Sequence, residues 1–305
     1  MSTVETILDV RKVAGVIGAE ITGVHLSGDL EDAAVAAVRA AILEHRVVFV
    51  RGQEHLTDAE QAAFARRLGD LTTAHPTISG AEGARNVLPV DSEHGNKANS
   101  WHTDVTFVDR PPSFSLLRAI VLPPYGGDTS WANTVTAYES LPPVLQRLAE
   151  QLWAEHTNDY DYATSHGVTE LTEQQAAHRE VFVSTVYKTE HPLVRVHPET
   201  GEKALLLGQF AQRFVGVNGT DSAHLIALFQ DHVTRLENTV RWQWQPGDIA
   251  IWDNRTTQHY AVTDHGDLPR RLHRVTVVGE VPVSVDGRPS IARQGDSTAY
   301  TAAGS

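Results

Sequence analysis

The chain has no cysteine and a single methionine among 305 residues. The first absence excludes a disulfide framework, a thiolate zinc site and a thiol nucleophile. No stretch approaches the ~20 consecutive apolar residues a membrane span needs, nor does a basic segment followed by an apolar run open the chain. A cytoplasmic protein with no membrane partner is the expectation. Cations are scarce too: 25 Lys and Arg face 38 Asp and Glu, a formal charge of −13. That balance argues against a nucleic-acid partner, because phosphate binding needs a basic face. An anionic small molecule must instead meet a local arginine cluster. Hydrophobic residues at 41% and charged residues at 21% belong to a chain that folds around a real core.

Turn punctuation and short apolar runs predict strands at Leu8 to Val13, Ala19 to Val24, Val47 to Val50, Phe114 to Leu122, Gly247 to Trp252 and Arg274 to Val278. Helical periodicity runs from Glu31 to Glu44 and from Pro142 to Ala154. Thr57 and Glu60 form a capping box that starts a helix over Asp58 to Leu68, ended by Gly69. The polar stretch from Tyr160 to Thr189 reads as a mobile lid loop, and the tail after Ser284, small and polar, as partly disordered. Many strands with long connections, plus helices near the N-terminus, predict a mainly β protein with flanking helices. The expected architecture is a double-stranded β-helix, or jelly roll, as one domain over residues 1–284 with a flexible tail over 285–305.

The chemistry is concentrated in two distant segments. In Ser100-Trp101-His102-Thr103-Asp104, alternate positions on a strand aim an imidazole and a carboxylate at one point. His259, in the run from Trp252 to Tyr260, supplies a second imidazole. Two histidines and one carboxylate on one face of an octahedral ion leave the opposite face open, as non-haem Fe(II) oxygenases require. His-x-Asp alone is weak in a chain with 16 histidines. Arg270 and Arg274, which follow His259, strengthen it, since an arginine fork can hold a carboxylate bidentately. The bland alternative for the arginines is a pair of surface cations on an acidic protein.

These segments resemble the taurine dioxygenase (TauD/TfdA) family of Fe(II)- and 2-oxoglutarate-dependent dioxygenases, from about residue 8 to 284. The matching blocks are Trp101 to Phe107, Gly126-Gly127-Asp128-Thr129, Trp252-Asp253-Asn254-Arg255 through His259, and Arg270 to Arg274. The resemblance implies that His102, Asp104 and His259 ligate iron. It implies that Thr129 and Arg270 bind the distal carboxylate of the co-substrate 2-oxoglutarate, and that Arg274 faces a substrate sulfo group. Dioxygen is the second co-substrate, and Asp104 speaks against the related halogenases, which lack that carboxylate. Within the family the chain is most similar to the alkylsulfatase branch, through Trp131 to Thr134, Leu152 to Asn158, Arg195 to Gly201 and His273 to Thr276. His75 and Val105 would then join Arg274 around a small anionic organosulfur substrate. Taurine-specific relatives carry an asparagine near Ala98, and alanine here favours an apolar alkyl chain.

The implied reaction hydroxylates the carbon bearing the sulfate of an alkyl sulfate ester, giving aldehyde, sulfate, succinate and CO2. Alternatives are a taurine or other sulfonate dioxygenase releasing sulfite, a carboxylate-substrate dioxygenase, and, from another class, a non-catalytic jelly-roll binding module. The family also implies a homodimer or homotetramer. Trp101, Phe107, Trp242 and Trp244 are assigned to packing, and His94, His156, His166, His197 and His265 are not expected to be ligands. Gly15-Val16-Ile17-Gly18 lacks dinucleotide-site spacing, and the two glycosylation sequons at Asn218 and Asn254 are chance matches.

Overall fold

The computed structural model describes residues 8–91, 98–160 and 171–302. Val47–Val50 shows how the interior is organised, for all four residues are buried and alternate side chains leave opposite faces of the strand. Val48 and Val50 enter one core cluster, Val47 and Phe49 another. The neighbouring strand Ile249–Asp253 divides the same way, with Ile249 and Ile251 on one side and Ala250 and Trp252 on the other. A strand buried on both faces reads as a continuous apolar run, which is why both segments were legible.

These two strands lie within a seven-stranded sheet. Its order is Asp9–Lys12, Ala19–Thr22, Val47–Val50, Ile249–Asp253, Phe114–Val121, Arg271–Val277 and Leu88–Asp91. The pairing of Ala19–Thr22 with Val47–Val50 is parallel, and the helix Asp32–His45 makes the crossover that a parallel pair requires. Val35, Val38 and Ile42 of that helix, with Phe64 and Ala65 of the helix Asp58–Arg66, cover the outer face of the sheet. The capping box is present: Glu60 N–H donates to Thr57 Oγ1, and Thr57 N–H donates to the Glu60 carboxylate.

The inner face meets a three-stranded sheet ordered Thr239–Trp242, Thr129–Asn133 and Thr257–Ala261. Trp131, Val240 and Trp242 from this sheet pack on Phe49, Trp252 and Leu272 from the larger one. Phe49 and Trp242 stack with ring centroids 4.0 Å apart and planes 3° from parallel, which contributes about 0.5–1.5 kcal/mol beyond the area buried. Two sheets over an aromatic interior, buttressed by helices, form the expected jelly roll. No helix among the described residues is long and apolar enough to cross a membrane.

Three expectations need correction. The helix read from Pro142 to Ala154 stops at Ala149, and Trp153–Thr157 is a strand between Lys188–Pro192 and Ala211–Phe214. Ala154 and His156 are fully buried there, so ladder pairing and alternate burial outweigh helix propensity. Within the loop read from Tyr160 to Thr189, residues 161–170 lie outside the described residues. Much of the remainder is the helix Glu173–Phe182, opened by a second capping box from Thr172 and Gln175. The tail between Ser284 and Ala302 holds regular structure: Ile291–Gln294 pairs with Lys188–Pro192, and Thr298–Thr301 forms a helical turn. That strand is exposed at every position, so it carries no apolar pattern, yet Tyr300 beyond it is 2% exposed in an aromatic cluster with Val105 and Phe107.

Candidate metal centre

His102 and His259 face each other as an isolated antiparallel bridge. His102 N–H donates to the His259 carbonyl at 3.1 Å and His259 N–H to the His102 carbonyl at 2.8 Å. Residues opposed in this way project on the same side, and the two imidazole centroids are 4.1 Å apart. The expected strand does not continue to Asp104. The chain turns there, and Val105 adopts φ 55°, a left-handed conformation that costs a β-branched residue on the order of 1–3 kcal/mol. Asn254 holds the turn in place. Its Oδ1 accepts from Asp104 N–H at 2.9 Å, while its Nδ2 donates to the Asp104 carbonyl at 3.1 Å and the Pro112 carbonyl at 3.0 Å.

Asp104 Oδ1 consequently lies 3.9 Å from His102 Nε2 and 3.8 Å from His259 Nε2. One ligand atom from each of the three buried residues falls within 4.8 Å of the others. His102 Nδ1 donates to the Ser100 carbonyl at 2.7 Å, which in a neutral ring leaves the lone pair on Nε2, facing Asp104. Ser115 Oγ donates to Asp104 Oδ2 at 2.8 Å, so Oδ1 remains the oxygen turned toward the histidines. Burial opposes ionisation of Asp104, but Arg274, His259, His102 and the Ser115 hydroxyl outweigh it and hold the carboxyl at about 2. Burial, reinforced by His102, pushes His259 well below the usual imidazole range. An anionic carboxylate and a neutral imidazole are the forms that bind metal. Two nitrogens and one oxygen suit Fe(II), and no further His, Cys, Asp or Glu joins the group among the described residues. An ion held there keeps coordination positions open.

The three donor residues line a cavity together with the other five residues singled out from the sequence: His75, Val105, Thr129, Arg270 and Arg274. Arg270 immediately precedes the strand Arg271–Val277 that carries Arg274, so a separation of four places both on one face. Arg270 Nε donates to the Gly127 carbonyl at 2.7 Å and its Nη2 to Thr129 Oγ1 at 3.0 Å. Burial lowers Arg270 to about 10, which leaves it a cation at neutral pH. Gly127 has φ 70°, and a Cβ there would sit 3.0 Å from Arg270 Cδ, so the Gly-Gly-Asp-Thr block exists to admit the arginine. Arg274 Nη1 donates to Asp104 Oδ1, closer to the triad than the sequence suggested. Thr77 N–H donates to His75 Nδ1 at 3.2 Å, so the neutral ring carries its proton on Nε2. Burial, with the charges of Arg274 and His178, lowers His75 to about 3, and it therefore acts as an uncharged donor.

Most of the remaining cavity wall is apolar, including Ile78, Leu88, Val90 and Leu117, with Gln209 beside them and Phe182 and His178 contributed by the helix Glu173–Phe182. Phe107 both packs in the aromatic cluster and lines the cavity, whereas Trp242 and Trp244 lie in the core between the sheets. Asn254, Ser115 and His178 were missed as contributors. A serine and an asparagine that act by hydrogen-bonding a ligand residue have no spacing signature, but the Thr172-x-x-Gln175 capping box could have revealed the helix bearing His178. The histidines set aside are occupied elsewhere: His156 Nδ1 with Thr106 Oγ1 at 2.9 Å, His197 Nε2 with Asp253 Oδ2 at 3.0 Å, and His265 Nδ1 with the Leu268 carbonyl at 3.0 Å. His94 and His166 lie outside the described residues.

Residues 9–276 match the family model described as taurine catabolism dioxygenase TauD, TfdA family. The chain is 56% identical to an alpha-ketoglutarate-dependent sulfate ester dioxygenase of Pseudomonas putida, over 93% of each chain. It is 54% identical to an alkylsulfatase of Acinetobacter baylyi, over 92% of this chain and 88% of that one. Among solved structures, a taurine dioxygenase from Burkholderia xenovorans aligns with a TM-score of 0.81 at 40% identity, covering 97% of this chain and 98% of the other. AAD-2, solved in complex with Mn(II) and N-oxalylglycine, aligns with a TM-score of 0.74 at 26% identity over 90% of this chain and 99% of its own. With the His102, Asp104 and His259 donors converging inside a jelly roll and the family model spanning most of its length, the chain belongs to the TauD/TfdA family of dioxygenases.

Proposed function

We propose that this protein is an Fe(II)- and 2-oxoglutarate-dependent dioxygenase that cleaves alkyl sulfate esters oxidatively. The observation that carries the reading is a single cavity holding an open two-histidine, one-carboxylate triad, one buried arginine backed by Thr129, and a second arginine beside His75. His102, Asp104 and His259 hold the iron. When bound, Fe(II) with 2-oxoglutarate and dioxygen supplies the oxidising power to hydroxylate an unactivated C–H bond.

The remaining work is positional. Arg270 and Thr129 fix the distal carboxylate of 2-oxoglutarate, and a buried cation in a low-dielectric wall holds an anion far better than an exposed one. Arg274, His75 and Val105 receive the sulfo group. Because Arg274 reaches Asp104 Oδ1, an anion held by its guanidinium would lie next to the triad, which would bring the carbon bearing the sulfate close to the residues that hold the iron. Orientation of this kind is worth up to several powers of ten in rate. Hydroxylation at that carbon gives a hemiacetal sulfate, which collapses to an aldehyde and sulfate. The apolar wall and Ala98, which lines the same cavity, favour an alkyl chain over an amine-bearing substrate. The names of the relatives at 56% and 54% identity support the sulfate ester class.

The resemblance to a taurine dioxygenase structure sustains a second reading, a sulfonate dioxygenase, for which Arg274 would serve equally. A panel of linear alkyl sulfates and alkanesulfonates, assayed with Fe(II), 2-oxoglutarate and air, separates them. Equal amounts of succinate, aldehyde and sulfate support the proposal, and sulfite from the sulfonates alone replaces it. We further propose one domain in which the helix Glu173–Phe182 acts as a lid over the cavity, assembled as a homodimer or homotetramer in the cytoplasm, the assembly being testable by light scattering.

A further inference from the structure

Thr129 Oγ1 accepts two hydrogen bonds, one from Arg270 Nη2 at 3.0 Å and one from Trp244 Nε1 at 3.0 Å. A hydroxyl has one proton and two acceptor positions, whereas an indole N–H and a guanidinium are donors only. Both acceptor positions are therefore filled by groups that cannot reverse their role. The Thr129 proton is left to donate elsewhere, and Thr129, 2% exposed, lines the cavity. A threonine ordinarily turns its hydroxyl toward donor or acceptor as the partner demands. This one is locked as a donor.

We infer that Trp244 is a positioning residue for co-substrate binding: its indole N–H fixes Thr129 as an outward hydrogen-bond donor to the distal carboxylate of 2-oxoglutarate. The inference rests on the reading of the Arg270 and Thr129 end of the cavity as the 2-oxoglutarate site. Trp244 is 8% exposed and sits in the core between the two sheets, 6.3 Å from Trp131 between ring centroids, which makes its N–H a rigid donor. Trp242, two residues earlier, shows that the arrangement is specific. Its Nε1 donates to Asp248 Oδ2 at 3.0 Å and its ring stacks on Phe49, so although its backbone pairs with Thr129 across the sheet, its N–H does not reach the Thr129 hydroxyl. One tryptophan serves the barrel and the other serves the ligand end.

The test is calorimetric titration of 2-oxoglutarate into Mn(II)-loaded protein, without turnover, for the wild type, Trp244→Phe, Trp242→Phe, Thr129→Ala and the Trp244→Phe/Thr129→Ala double variant. Phenylalanine keeps the ring and removes only the N–H. Trp244→Phe is expected to weaken binding about tenfold, the scale of one hydrogen bond to a charged group, with a matching rise in KM for 2-oxoglutarate and kcat within about twofold at saturation. Trp242→Phe should leave the affinity unchanged. In the Thr129→Ala background, Trp244→Phe should have no further effect, which a merely structural loosening could not reproduce. Additive losses, or an unchanged affinity in Trp244→Phe, overturn the inference while leaving the proposed function standing. No 2-oxoglutarate binding by the wild type removes both.

Discussion

At the scale of single residues, the metal centre depends on a side chain that is not a ligand. Asn254 makes three buried hydrogen bonds around the turn at Asp104, and it offsets the strain stored at Val105. Asn254→Ala leaves buried backbone groups unpaired and should destabilise the protein by roughly 2–4 kcal/mol, with metal affinity falling about 10–100-fold. Urea unfolding alongside Mn(II) titration checks both, and full metal affinity in the folded variant would show that the turn holds itself. Ser115→Ala should weaken metal binding about tenfold, because Asp104 Oδ2 loses its donor, with little loss of stability. The ligands themselves were legible because two imidazoles and a carboxylate in one motif set are chemically distinctive. Asn254 and Ser115 were not, since what they contact is decided by chain segments far away in sequence.

At the scale of elements, the helix Glu173–Phe182 brings Phe182 and His178 to the cavity, and its capping box is the feature that starts it. Thr172→Ala should cost that helix about 1 kcal/mol. Amide exchange over its first turn should accelerate and KM for the sulfate ester should rise several-fold, while the thermal midpoint stays near that of the wild type. Unchanged exchange and KM would detach the helix from substrate binding. Strands buried on both faces, such as Val47–Val50, announced themselves through continuous apolar runs. Trp153–Thr157 and Ile291–Gln294 did not, one because helix-forming residues precede it and the other because every position is exposed. Their existence is decided by pairing with Lys188–Pro192, information no local window contains.

For the whole molecule, buried imidazoles set the response to acid. His156 and His191 are fully buried and packed edge to face, 5.0 Å apart between centroids. Burial, against the hydrogen bond to the Thr106 carbonyl, holds His191 at about 4, and burial together with His191 pushes His156 well down. The unfolded chain therefore takes up protons near pH 6.5 that the folded chain refuses. Stability should be fully present above pH 6.5 and fall as the pH drops toward about 4. The depressed carboxylates act in the same direction, in a lower range of pH. Asp104 and Asp253 contribute stability above their ordinary pKa that is lost only at lower pH. Urea midpoints of the metal-free protein across this range test the order, and a midpoint flat from pH 6.5 to 4 would contradict it. Fold class and active chemistry were both readable from strand count and motif. The sheet order was not, because joining Val47–Val50 to Ile249–Asp253 is a contact of the whole chain.

The central claim is tested most directly by a crystal structure of the protein with Mn(II) and 2-oxoglutarate. The account predicts one ion on His102 Nε2, an Asp104 carboxylate oxygen and His259 Nε2, with its other positions taken by non-protein groups and the distal carboxylate of 2-oxoglutarate on Arg270 and Thr129. An ion bound elsewhere, or one closed off by a fourth protein ligand, would contradict it.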